Sequence, residues 1–168
     1  MLDAAEQRLV RTTTQALQII VVALIGGCVI MLIVALALAP TEGPVRGPVA
    51  PIAAVAALGA AAGALVLPRV MAALQRQQAL GAAQQGREQA AGALLQGFQV
   101  RRIVTAALLE GAAFFNGVAY LLEGTVYSLA IMAALIVGLM LLTPTRGGVE
   151  RWLADEMRSL RELEQLSA

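Results

Sequence analysis

One carboxylate in this chain stands where a carboxylate is costly. Glu110 lies inside an apolar run over residues 103–122, long enough as a helix to cross about 30 Å of hydrocarbon. An ionisable group at such a place faces protein, water or a partner rather than lipid. At roughly 100° per residue, Glu110 shares a helix face with Ala106, Ala113, Phe114, Gly117, Leu121 and Gly124. Small residues therefore surround it, as the close approach of another helix requires. Thr105, Asn116 and Glu123 fall on a second strip, roughly 130° away. These four side chains form the candidate intramembrane polar site. Three roles suit Glu110: a neutral acid bonded to a carbonyl or to Asn, a proton- or cation-exchanging group, or a point of partner recognition. It lies about 10 Å along the helix from Ile103, within reach of water at the membrane surface. No cationic side chain stands within any span to pair with it, so the neutral acid is the expected form.

Absent residue types remove most other chemistry. The chain contains no His, which excludes imidazole triads and imidazole metal sites. It contains no Lys, which excludes a P-loop and a Schiff base. Its single cysteine, Cys28, excludes an intrachain disulfide and any CxxC site, and suits a small apolar filler. No catalytic, cofactor-binding or metal-ligating residue is identified, and a non-enzyme is expected.

The elements that must position Glu110 are membrane spans. The 168 residues are 59% hydrophobic and 14% charged, with a mean hydropathy of +0.76. A soluble domain of that size cannot hide so much apolar surface, so the class is a polytopic membrane protein. The first span is read over 16–39, with Gln18 as its one strongly polar side chain. It is too long for the apolar region of a signal peptide. Before it, Leu2, Leu9 and Val10 suggest a short surface helix. Pro40, Gly43, Pro44, Gly47 and Pro48 make a loop, and Pro48 or Pro51 suits the start of a second span over 49–67. Gly59 and Gly63 form a G-x-x-x-G within it, and with Gly111 and Gly117 of the third span they are the expected helix-packing positions.

Residues 69–100 alternate Gln with Ala, Leu and Arg, and are read as a helical hairpin turning near Gly81–Gly86. The third span covers 103–122. A turn at Glu123-Gly124 is short enough to make the fourth span, 125–142, its antiparallel neighbour. Pro144 stops that helix. The tail over 147–166 is amphipathic, with Val149, Trp152, Leu153, Met157, Leu160 and Leu163 at helical spacing. Lying on the membrane and packing against the hairpin are both open to it. All twelve basic residues are Arg, and with the N-terminus inside, every one except Arg46 falls on the cytoplasmic side. The positive-inside rule then sets both termini in the cytoplasm, and topology accounts for the arginines without nucleic acid.

Two resemblances meet at the third span. From Gln99 to about Met157, an Arg-flanked helix reading Ala-Leu-Leu-Glu-Gly-Ala-x-x-Phe-Asn leads through a short turn to an apolar span, Thr143-Pro144-Thr145 and an amphipathic tail. This resembles an uncharacterised family of small bacterial multi-pass membrane proteins, and implies an architecture but no activity. Residues 103–110, with Ala113, Phe114 and Val118, are similar to the carboxylate-bearing helix of the c subunit of rotary ATP synthases, which would set Glu110 on the ion-binding carboxylate. That family's extended alternating glycine run and Arg-Gln-Pro turn are missing, and four spans replace two. The similarity is read as convergence on a buried carboxylate among small residues.

The expected fold is all-α: a four-helix transmembrane bundle with a cytoplasmic helical hairpin and an amphipathic C-terminal helix, in a bacterial inner membrane. Two roles fit. One is a non-enzymatic accessory or assembly component presenting the hairpin and tail to a protein partner. The other is a small ion or proton translocator centred on Glu110.

Overall fold

The computed structural model describes residues 4–38, 47–83 and 86–167. Among them every regular element is an α-helix: α1 (Ala4–Ala37), α2 (Val49–Ala83), α3 (Arg87–Glu123), α4 (Val126–Leu141) and α5 (Arg146–Ser167). Most of the loop expected at 40–48, the last residue of the first span, and residues 84–85 of the hairpin turn expected near Gly81–Gly86 lie outside the described residues. Among the described residues three helices are long and apolar enough to cross a membrane, or four if α4 and α5 count as one broken span. The fourth expected span is the least plain for a simple reason. α4 has 16 residues, about 24 Å at 1.5 Å each, against about 30 Å of hydrocarbon.

By internal packing the chain divides into two units. One comprises Ile20–Leu67 and Ile103–Thr143 and holds most of the apolar helix length. Its large side chains point outward: Leu58 is 71% exposed, Val126 74% and Leu141 81%. Its buried positions on α2 and α3 are mostly alanine, including Ala53, Ala57, Ala106, Ala113 and Ala119. Water would reverse that arrangement, and lipid permits it, because packing rather than apolar burial holds helices together in a bilayer. Leu109 and α4's Met132, Leu135, Ile136 and Leu139 supply the bulk of the interior. Gly124 ends α3 at φ 65°, with its N–H bonded 2.7 Å to the Tyr120 carbonyl. The left-handed turn admits glycine at no cost.

The other unit comprises Met1–Ile19, Pro68–Arg102 and Pro144–Ala168. Here the buried side chains are larger and include Val10, Leu17, Leu94, Leu95, Phe98, Val149, Leu153 and Met157. The N-terminal stretch is not a separate surface helix. It is the first part of α1, and Glu6, Val10, Thr14 and Leu17 are all buried at spacings of one helical turn. Pro68 interrupts nothing either: α2 passes through it and continues to Ala83. On α5, Val149, Leu153 and Met157 face inward, and the Trp152 ring lies 4.7 Å from that of Phe98 on α3. These contacts set α5 against the part of α3 that precedes its apolar run. Where Pro144 breaks the chain between α4 and α5, its carbonyl accepts a 3.0 Å bond from Gln18 Nε2. The one strongly polar side chain of the first apolar run thus serves a carbonyl at a helix break.

Candidate polar site of the apolar helices

α2 begins at Pro48-Val49-Ala50-Pro51, with no Ser, Thr, Asp or Asn at its first position to cap it. A helix start leaves its first N–H groups without intrahelical partners. Glu123, the last residue of α3, supplies them. Its Oε1 accepts from Val49 N–H at 2.7 Å, and its Oε2 from Ala50 N–H at 3.0 Å. Pro48 and Pro51 carry no N–H, and Ile52 N–H bonds to the Pro48 carbonyl at 3.2 Å. Every donor from residue 48 to 52 is therefore accounted for. The carboxylate also meets the positive end of the helix dipole. Gly47 completes the fit, because a Cβ there would collide with the Glu123 carboxylate.

Asn116 works on the same helix. Its Nδ2 donates to the Ala53 carbonyl of α2 at 3.1 Å and to the Ala112 carbonyl of α3 at 2.9 Å. Two carbonyls facing one amide fix which end is nitrogen. The approach is possible because Ala50, Ala53 and Ala119 pack directly, each fully buried. Asn116 Oδ1 has no hydrogen-bond partner among the described residues. Thr105 is buried as well. Sequence spacing set Thr105, Asn116 and Glu123 on one strip, and all three are buried. For Asn116 and Glu123 the structure adds their target, the backbone of α2.

Glu110 stands apart from them. It is half-buried, and no hydrogen bond or ion pair to it occurs among the described residues. Ala106 and Ala113 on its face are fully buried. Opposite it is α1, where a Cβ on Gly27 would sit 3.6 Å from Glu110 Oε1 and 3.6 Å from the Phe114 ring. Gly27 was not singled out from the sequence, since Gly26-Gly27 reads as two more small residues in an apolar run.

The four packing glycines divide into two pairs. A Cβ on Gly117 would come within 3.1 Å of Met31 and Met132, and one on Gly63 within 3.6 Å of Leu108. Gly59 and Gly111 have nothing within 4 Å. Both border an open groove of about 390 Å³ between α2 and α3, with Ala107 and Phe115 also on its wall. Among the described residues no three His, Cys, Asp or Glu side chains gather to hold a metal ion. No protein-family model, curated protein or solved structure matches this chain.

Proposed function

We propose that this chain is a non-enzymatic integral membrane component, an accessory or assembly subunit that presents its helical hairpin and C-terminal helix to a protein partner. One observation carries the reading: Glu123 and Asn116 are spent on the α2 backbone. Side chains committed to holding two helices together are not free to cycle through a reaction. The hairpin offers an exposed polar surface, with Glu88, Gln89 and Gln96 outward, over a packed inner face that includes Ala90, Ala91, Leu94, Leu95 and Phe98. Four spans, both termini in the cytoplasm and a bacterial inner membrane complete the proposal, supported by the arginine distribution.

Affinity purification of the intact chain from native membranes tests the role. A stoichiometric partner lost on Gln89→Arg/Gln96→Arg substitution is the expected result, and recovery of the chain alone would refute it. Topology is checked separately. A reporter active only outside the cytoplasm works when fused at Gly43 or Gly124 and fails at Gly86 or the C-terminus. A signal from Gly86 overturns the four-span arrangement.

A second reading, a proton or cation translocator, rests on the half-buried, unbonded Glu110. Flux through the pure protein in liposomes distinguishes it from the first.

A further inference from the structure

The aromatic and arginine side chains where α3 enters its apolar run form a cluster that neither functional reading uses. Phe98 is the centre. The Trp152 ring lies 4.7 Å from it, with the Arg101 guanidinium 5.5 Å and the Arg102 guanidinium 5.3 Å from its centroid. Arg101 also stands 5.8 Å from the Trp152 ring. Arg102, 5.3 Å over the Phe98 ring, carries N–H groups that match a phosphate bidentately.

The charge here is unevenly answered. Glu156 of α5 acts electrostatically on Arg101. No carboxylate pairs with Arg102 among the described residues. Burial pushes the Arg102 guanidinium below its ordinary value, and the like charge of Arg101 pushes it the same way. A half-buried cation beside a second cation calls for an anion. Its position says which kind. Arg102 immediately precedes the apolar run that starts at Ile103, and tryptophan and arginine are the side chains that settle at headgroup depth.

We propose that Arg102, held against Phe98 beside Arg101 and Trp152, forms a binding site for the phosphate of an anionic phospholipid headgroup. This inference rests on α3 crossing a membrane from Ile103, and is independent of whether the chain is a scaffold or a translocator. The site would fix the depth of α3 and of the α5 tail against one anionic lipid surface.

Trp152 is the chain's single tryptophan, so the site carries its own reporter. The full chain is reconstituted in phosphatidylcholine vesicles containing phosphatidylglycerol or phosphatidylcholine with a quencher near the top of the acyl chain. Labelled phosphatidylglycerol is expected to quench Trp152 at about fivefold lower mole fraction, the equivalent of the roughly 1 kcal/mol that one arginine, here Arg102, gains at an anionic surface. Arg102→Gln brings that ratio close to one and Arg102→Lys restores part of it. Arg158→Gln, which removes the same charge from an exposed position of α5, leaves the ratio unchanged. Equal quenching by both lipids in the unaltered chain overturns the proposal without any variant having to fold. So does equal loss in Arg102→Gln and Arg158→Gln, which indicates diffuse surface charge. Relief of the preference by inorganic phosphate reassigns the site to a free anion. Absence of quenching by either lipid removes the cluster from headgroup depth, and the site with it.

Discussion

The two units of this chain hold themselves together by different means. In the unit of Ile20–Leu67 and Ile103–Thr143, the α2–α3 contact is alanine against alanine. The side chains that bind across it, Glu123 and Asn116, are aimed at backbone. In the unit of Met1–Ile19, Pro68–Arg102 and Pro144–Ala168, large side chains do the work, with Phe98 against Trp152 and two arginines over the ring. The difference is the one expected of the proposed arrangement, with the first unit in the bilayer and the second at and beyond its surface. Hydrocarbon gives apolar side chains no reason to leave it, so helices there gain from close backbones and shared polar bonds. Where water is present, burying Phe, Leu and Trp stabilises by itself.

Substitutions can break that contrast. The largest effect is expected at Phe98, which is 4% exposed. Phe98→Ala should cost about 3 kcal/mol, read as a red shift of Trp152 emission and early proteolysis of α5. Normal Trp152 emission in that variant would mean the ring contact is incidental.

Glu123→Ala comes next. It strands the N–H groups of Val49 and Ala50, and a loss of about 2 kcal/mol is expected, measured by detergent-induced unfolding. Faster hydrogen exchange at those two amides should accompany it. Unchanged exchange would show that another group caps α2.

Asn116→Ala should cost less, about 1 kcal/mol, because polar bonds between helices in a bilayer are individually modest. The same unfolding titration measures it. A loss as large as that at Phe98 would erase the distinction between the two units.

Much of this was legible in the sequence, for reasons particular residues show. Apolar runs about as long as a bilayer is thick, and the proline at 144, mark most helices with little ambiguity. The start of α1 was hidden because its buried stripe begins with Glu6, and a charged residue reads as solvent-facing. Glu123 was picked out as polar and interior, but its role was not, since its target is 74 residues away in the chain. A signal did exist: α2 opens on two prolines with no capping side chain of its own, so its cap had to come from elsewhere. Gly59 and Gly63 looked equivalent by spacing, yet only Gly63 has a close neighbour. Spacing gives a face, and the partner on that face is a tertiary fact.

Glu110 takes no part in that backbone bonding among the described residues, and the scaffold reading treats it as structurally idle. Glu110→Gln should therefore shift stability by less than about 0.5 kcal/mol. The decisive measurement is proton flux into liposomes holding the purified chain, followed with an entrapped pH-sensitive dye under an imposed potential. The account predicts flux no faster than in empty liposomes for both the native chain and Glu110→Gln. Flux in the native chain that Glu110→Gln abolishes, with the fold intact, would contradict it.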